Sequence, residues 1–218
     1  MEKVYFNPGC ALSIYRPGAE SKIMRYLNQY YGQVTLHKIC CQHNPQVEEN
    51  SLIINVCAGC DRRFRSLYDG VSTTSLWEVI DQTGHFEFPD YSDAEMSVHD
   101  PCPIREKPSV HQAVRSLLQK MNVKITEAEE HGSRSVCCGD SLYPQTPLEA
   151  VHKHMKKSAA AMPCEQVAVY CVSCIKSMHI GGKTPRHMID LLLSETTTPE
   201  TYDTVAWHEQ LQEYIDVH

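Results

Sequence analysis

The 218-residue sequence lacks several features that would assign it to a common class of protein. No window approaches the roughly eighteen apolar residues that a membrane-spanning helix needs, and the N-terminal residues form no apolar stretch of signal-peptide length. Lys and Arg (20) are outnumbered by Asp and Glu (27), which argues against a nucleic-acid surface built from clustered basic residues. We therefore expect a cytoplasmic protein that neither spans a membrane nor binds nucleic acid.

The sequence also has no fingerprint of a nucleotide or dinucleotide cofactor. It contains neither the Gly-x-Gly-x-x-Gly pattern of dinucleotide-binding folds nor a phosphate-binding loop. A redox reaction on this chain would therefore draw its electrons from another protein or from a soluble carrier.

Cysteine is the residue that the sequence has in excess. Its count of eleven is odd and high for a cytosolic protein, yet below the density of small secreted domains held by disulfides. In a reducing compartment, such spacing indicates metal binding or redox chemistry more often than structural disulfides. Ten of the eleven form two copies of one pattern, Cys…Cys-Cys…Cys-x-x-Cys: Cys10, Cys40, Cys41, Cys57 and Cys60, then Cys102, Cys137, Cys138, Cys171 and Cys174. Cys164 lies outside both sets.

The two halves of the sequence repeat one order of predicted elements. Each opens with a short strand that ends in a Pro-containing turn and a cysteine, followed by a helical stripe of apolar residues and a second strand before the Cys-Cys pair. A continuous apolar strand then ends at each Cys-x-x-Cys, as expected for parallel strands covered on both faces. The segments that begin at Thr74 and Thr184 each resemble a capped helix start. The sequence therefore predicts an α/β fold of two pseudo-repeated halves, with short parallel sheets and the cysteine sites at strand ends.

The boundary between the halves is predicted in the acidic, turn-forming stretch 86–95. We predict a shortened first half at residues 1–90, a complete second half at 91–195 and a C-terminal amphipathic tail at 196–218. One helical face of the tail is predicted to carry Trp207, Leu211, Tyr214 and Ile215. That face is expected to dock on the body of the protein, and the alternative is a surface for a partner.

The cysteines of each half are expected to form one site. Each cysteine follows a predicted strand, so the five should converge at the carboxyl edge of one sheet, where such folds bind ligands. The Cys-x-x-Cys pairs directly precede predicted helices, whose free backbone N–H groups stabilise thiolates. A structural zinc site or an ordinary cubane cluster takes four protein ligands. A fifth thiolate implies either a less regular metal centre or one cysteine that is not a ligand.

This double pattern resembles the cysteine-rich CCG domain, Cys…Cys-Cys-Gly…Cys-x-x-Cys, which occurs twice in the B subunit of heterodisulfide reductase. The resemblance extends from residue 1 to about residue 193. It implies that each motif holds a noncubane 4Fe-4S cluster, whose irons reduce a disulfide by binding its two sulfurs, and that all ten patterned cysteines are cluster ligands. His99, in Val-His-Asp-Pro-Cys, matches a family position beside the second cluster, where it would donate a hydrogen bond or a proton. The catalytic group implied by the resemblance is Cys102, Cys137, Cys138, Cys171, Cys174 and His99.

The first set departs from the family pattern in its spacing. Cys41 and Cys57 are 16 positions apart, whereas Cys138 and Cys171 are 33 apart. The missing piece corresponds to residues 143–162, which carry a helical apolar face, so the first half is predicted to lack a helix. The shorter loop would either open the first site to a substrate or partner, or leave that site with zinc or empty.

The first set also departs from the pattern at one residue. Gln42 stands where the second set has Gly139. Because glycine permits positive φ or a close approach of the backbone, Gln42 is expected to crowd a bulky cluster.

The leading functional hypothesis is an iron-sulfur oxidoreductase with one or two 4Fe-4S clusters. It would reduce a small disulfide, or exchange electrons with a ferredoxin-like or flavoprotein subunit. The alternative is a non-catalytic cysteine-rich assembly module with zinc in one or both sites. A third hypothesis is a thiol-redox enzyme that uses Cys164 or a surface dithiol, although the simplest interpretation of Cys164 is a small buried or loop residue. The sequence leaves open the natural substrate and whether the chain forms a homo-oligomer.

Overall fold

A computed structural model of the chain describes residues 3–199 and 203–218. It has an α/β fold with two four-stranded sheets, each in its own compact unit. The first unit comprises the chain up to Phe86 together with His208–His218, and the second comprises Glu87–Trp207. The predicted C-terminal tail, residues 196–218, is divided between the two units. Its residues up to Trp207 belong to the second unit, and those from His208 onwards belong to the first.

The sheet of the first unit is parallel throughout, with the strand order β2-β1-β3-β4. Its strands are β1 (Lys3–Asn7), β2 (Val34–Leu36), β3 (Ser51–Asn55) and β4 (Val71–Ser75). Its helices are α1 (Cys10–Tyr15), α2 (Pro17–Tyr31), α3 (Ala58–Leu67) and α4 (Leu76–Thr83). Asn7 is in register with Asn55, which is in register with Ser75, so these strands end together at one edge of the sheet.

The second unit repeats this topology, with the parallel order β6-β5-β7-β8. Its strands are β5 (Glu95–His99), β6 (Lys124–Ile125), β7 (Gln166–Val169) and β8 (Thr184–His187). Its helices are α5 (Pro108–Lys120), α6 (Leu148–Ala160), α7 (Val172–Ile180) and α8 (Met188–Leu192). The predicted α/β fold class with two short parallel sheets is therefore confirmed.

The predicted helix starts at Thr74 and Thr184 are wrong, because both residues lie in strands. β4 and β8 are edge strands, and an edge position explains why β4 lacks a continuous apolar run and why β8 accommodates Pro185. The helices begin after these strands. Ser75 caps α4 in a reciprocal capping box with Glu78, and α8 begins after His187.

The helix α6 has no counterpart in the first unit within the described residues, as the spacing of the cysteines predicts. In the first unit the chain runs from β2 to β3 without a helix. In the second unit α6 fills the interval between the Cys-Cys pair and β7, and it packs against α7.

The predicted amphipathic tail forms the helix α9 (Thr204–Val217). Trp207 is buried, whereas Leu211, Tyr214 and Ile215 are half-buried. Among the residues that the structure describes, no helix combines the length and apolar character required to cross a membrane.

Candidate metal centres

The two central strands of each sheet position the first cysteine and the Cys-x-x-Cys pair. Cys10 lies three residues after the end of β1, and Cys57 lies two residues after the end of β3. Cys102 and Cys171 hold the equivalent places after β5 and β7. Because parallel strands end at the same edge, this arrangement brings residues from separate parts of the sequence together.

Helices α3 and α7 begin immediately after Cys57 and Cys171, which occupy their N-cap positions. Cys60 and Cys174 lie in the first turns of these helices and are buried. Both thiols of each Cys-x-x-Cys pair therefore lie at a helix N-terminus, where the positive end of the helix dipole favours negative charge.

The five thiols of the first unit form a continuous chain of side-chain contacts. Cys10 contacts Cys40, Cys40 contacts Cys41, Cys41 contacts Cys60, and Cys60 contacts Cys57. None of these thiols is in a disulfide. The predicted first set is thus brought together in space despite its shortened loop.

The five thiols of the second unit form the same chain in the same order. Cys102 contacts Cys137, Cys137 contacts Cys138, Cys138 contacts Cys174, and Cys174 contacts Cys171. Each unit therefore presents five free thiols with one shared pattern of neighbours. Five soft sulfur donors in one place suit soft metal ions and iron-sulfur groups.

Hydrogen bonds between the thiols lower the pKa of some of them and raise the pKa of others. In the second unit, the hydrogen bond between Cys102 and Cys137 holds the pKa of Cys137 far below its ordinary value and raises the pKa of Cys102 far above it. In the first unit, a hydrogen bond from Cys60 lowers the pKa of Cys57 to about 6. Hydrogen bonds to Cys41 and Cys57 raise the pKa of Cys60 itself. The raised pKa values of Cys60 and Cys102 keep these two thiols protonated, so a metal bound by them would displace their protons.

Gly9 leaves room for the first centre. Its φ is +78°, and a Cβ added there would lie 2.8 Å from Cβ of Cys57 and 3.4 Å from Sγ of Cys60. A side chain at position 9 would therefore fill the space between the Cys-x-x-Cys thiols and the turn that carries Cys10. The same unit has a recess bordered by Gly9, Cys10, Cys40, Cys41 and Cys60.

The glycine of the second Cys-Cys-Gly triplet is required by its conformation. Gly139 has a φ of +105°, and an added Cβ would lie 3.0 Å from Cδ2 of His154 and 3.3 Å from the backbone nitrogen of Met155, both in α6. Its N–H donates a hydrogen bond to Sγ of Cys137 at 3.4 Å. Nε2 of His154 bonds the carbonyl of Cys137 at 3.0 Å, so α6 supports the backbone of this turn.

Position 42 requires neither the positive φ nor the small size of glycine. It does not have a positive φ, its side chain is exposed, and no α6 equivalent lies over it. Its N–H donates to Sγ of Cys40 at 3.5 Å, which repeats the bond from Gly139 to Cys137. An exposed side chain does not turn into the thiol cluster, so the expectation that Gln42 crowds the first site is wrong.

His99 lies beside the thiols of the second unit and is buried. Neither of its ring nitrogens has a hydrogen-bond partner among the residues that the structure describes. One ligand atom each of His99, Cys138 and Cys174 falls within 4.8 Å of the other two. Burial lowers the pKa of His99 to about 4. The ring is therefore neutral near pH 7, and neutral imidazole is the form that binds metal ions.

Cys164 belongs to neither site. It lies in the turn before β7, where its N–H donates to Oγ of Ser97 at 3.0 Å and its carbonyl accepts from Nζ of Lys183 at 2.9 Å. These contacts involve its backbone, and its half-buried thiol forms no part of the two thiol chains.

Sequence reasoning singled out His99 in the Val-His-Asp-Pro-Cys segment but missed the next residue, Asp100. This carboxylate is 1% exposed and bonds Arg115 and Tyr170. An acidic residue directly after an apolar strand and two positions before a cysteine was the available signal.

A scan against models of protein families and a search of curated proteins both return no match to this chain.

Proposed function

We propose that the protein is an iron-sulfur oxidoreductase of the heterodisulfide reductase B type, with noncubane 4Fe-4S clusters bound by the ten patterned cysteines. The observation that carries this proposal is the chain of four contacts among five thiols, which has the same order in both units. A closed tetrahedral zinc site uses four ligands and leaves one thiol of each set without a role.

The donor set of each unit fits such a group. In the first unit, the missing side chain of Gly9 leaves space between the thiols. In the second unit, the buried imidazole of His99 has no hydrogen-bond partner within the described ranges 3–199 and 203–218, and it lies beside Cys138 and Cys174. An unpaired buried polar group costs stability, so a bound group that accepts its hydrogen bond or its lone pair would relieve that cost.

An iron-sulfur cluster held in these sites would supply reversible electron storage and irons able to take a sulfur ligand. The residues of the chain would hold the group through their thiolates, and His99 would direct a ring nitrogen towards it. The net reaction breaks an S–S bond, and electrons from a donor protein with protons from solvent leave each sulfur as a thiol. We infer that the donor is a ferredoxin-like or flavoprotein subunit and that the chain works in the cytoplasm, where free thiols persist.

The test is the metal content and spectrum of the full chain purified without oxygen. We expect about eight irons per chain, four for each of two clusters, with a similar amount of acid-labile sulfide and a paramagnetic signal unlike that of a cubane cluster. Fewer than about two irons per chain would contradict the proposal. Cys174→Ser should remove the signal of the second centre, whereas the matched Cys164→Ser variant should retain all of the iron.

A second candidate function rests on the group formed by His99, Cys138 and Cys174, whose atoms are also close enough to share one metal ion. Such a site would make the protein a zinc-containing assembly module without catalysis. Metal analysis separates the two functions. Zinc without visible absorption supports the module, and iron with sulfide supports the oxidoreductase.

A further inference from the structure

A hydrogen-bonded network centred on Asp100 adjoins the second thiol site. The carboxylate accepts bonds from both terminal nitrogens of Arg115 at 2.9 Å, from the hydroxyl of Tyr170 at 2.5 Å and from the N–H of Gly132 at 2.6 Å. Arg115 forms a second paired contact with Glu127, at 2.6 and 2.9 Å. Paired bonds between a guanidinium and a carboxylate are both strong and directional.

The partners of Asp100 adjoin the cysteines of the second set. Asp100 is two residues before Cys102, and Tyr170 directly precedes Cys171. Ser135, two residues before Cys137, donates its hydroxyl to the carbonyl of Asp100 at 2.6 Å. One residue is therefore bonded to all three segments that carry the cysteines.

The first unit has no such network at the equivalent positions. When the ends of equivalent strands are aligned, Asn7 is the counterpart of His99. Pro8 then corresponds to Asp100, and Val56 corresponds to Tyr170. Neither Pro8 nor Val56 has a polar side chain. The network is thus a feature of the second site rather than of the repeated fold.

We propose that Asp100 is the positioning residue of the second centre, holding the segments of Cys102, Cys137 and Cys171 in the geometry that binds the metal group. This inference rests on the proposed function for the identity of that group. A buried ionic network is seldom needed for stability alone, because apolar replacements of the same volume are often equally stable. Its bonds instead fix the backbone on either side of the ligands, as the outer-shell partners of metal sites do.

The experiment compares Asp100→Asn and Tyr170→Phe in the full chain. Both variants also carry Cys57→Ser and Cys60→Ser, so that only the second centre contributes to the measured iron content and spectrum. Glu95→Gln is the matched control, because Glu95 is an exposed carboxylate at the start of β5 that pairs with Lys124. After anaerobic reconstitution, we measure iron per chain, the paramagnetic spectrum and the midpoint potential.

We expect Asp100→Asn to weaken metal retention by about 10-fold or more, as disruption of an outer-shell partner does. Tyr170→Phe removes one hydroxyl, and it should retain iron but alter the spectrum and the potential. Glu95→Gln should match the parent chain. The inference is overturned if Asp100→Asn and Tyr170→Phe leave retention, spectrum and potential unchanged. It is also overturned if Asp100→Asn depletes the first centre equally in a Cys171→Ser, Cys174→Ser background.

Failure of the proposed function has a different signature. If the parent chain takes up no iron, the same variants are titrated with Co²⁺, whose thiolate absorption reports the geometry of the cysteines. Weaker Co²⁺ binding by Asp100→Asn than by Glu95→Gln then supports the positioning role without an iron-sulfur cluster. Equal Co²⁺ binding and equal spectra overturn it.

Discussion

His99 and Asn7 end equivalent strands, but they meet different neighbours across the sheet. Asn7 is in register with Asn55 and donates its side-chain amide to the amide oxygen of that residue at 2.9 Å. His99 is in register with Val169, which offers no polar side chain. The first unit therefore pairs its buried polar group within the protein, whereas the second leaves an imidazole available to a ligand.

Replacement of His99 by leucine should separate its role in binding from its role in folding. Because the ring is buried without a partner, the metal-free His99→Leu chain should unfold at the same temperature as the parent or higher, with a gain of up to about 1–3 kcal/mol. The loaded variant should lose the nitrogen coupling to the second centre in pulsed paramagnetic resonance.

Thermal unfolding of the metal-free chains and resonance of the loaded chains check this expectation. Asn7→Leu is the control, because it leaves the side-chain oxygen of Asn55 without its donor and should destabilise the first unit by about 1–3 kcal/mol. A His99→Leu chain with an unchanged resonance spectrum would show that the imidazole does not reach the bound group.

Gly139→Ala should destabilise the second unit, whereas a change at Gln42 should have little effect. Alanine at φ +105° is strained, and its Cβ would press on His154 and Met155, so we expect a loss of about 1–3 kcal/mol. Gln42→Gly alters an exposed residue without positive φ and should stay within about 1 kcal/mol of the parent. Chemical denaturation of the metal-free chains measures both values, and equal losses would contradict the assignment of Gly139 as a required glycine.

Sequence reasoning at the residue scale found the clustered cysteines but not the residues that support their backbone. The ten cysteines were found because their spacing repeats. Asp100 and Arg115 were not, because their partners lie 12 to 70 positions away, and no pattern in the sequence links residues at those separations. The error at Gln42 has a similar cause, since the need for glycine at position 139 comes from α6, which the first half lacks.

At the scale of elements, the sequence predicted strands β1 to β3 and β5 to β7 and missed β4 and β8. β3 and β7 lie inside their sheets and carry apolar residues on both faces, so their pattern is plain. β4 reads Val-Ser-Thr-Thr-Ser and β8 reads Thr-Pro-Arg-His, and each has one neighbour only. Polar residues are tolerated at such edges, which made these segments resemble helix starts.

The packing of α6 on α7 gives a prediction at this scale. Gly181 follows α7 with an ordinary φ of −75°, but a Cβ there would collide with Cβ of Ala159 in α6. Gly181→Ala should therefore separate the helices and cost about 1–3 kcal/mol. Gly18→Ala in α2 is the matched control, since nothing lies within 4 Å of its added Cβ and alanine there should gain about 0.4–1 kcal/mol. Thermal unfolding of the metal-free chains should move in opposite directions for the two variants.

At the scale of the whole molecule, the repeated fold explains why two thiol sets with unlike spacing reach the same arrangement. The strand ends and helix starts that carry the cysteines recur in both units, and the inserted α6 lies between them in sequence. An insertion between a Cys-Cys pair and the next strand lengthens the connection without changing where the strand ends. The two thiol sets can therefore share a pattern of contacts and still differ in their surroundings, through Gly139, His99 and Asp100 in the second.

Thiol labelling tests that shared pattern across the chain. In the metal-free protein all eleven cysteines are free thiols, so an alkylating reagent under denaturing conditions should label every one. In the anaerobically loaded native protein, the ten patterned cysteines should be protected as metal ligands, and the half-buried Cys164 alone should react.

Mass spectrometry of digested samples locates the labels, and a chelator that removes the metal should restore reactivity at Cys137, whose pKa its neighbours hold low. Protection of the second set but not the first would mean that only the second site holds metal, and protection of four cysteines per unit would favour a closed tetrahedral centre in each.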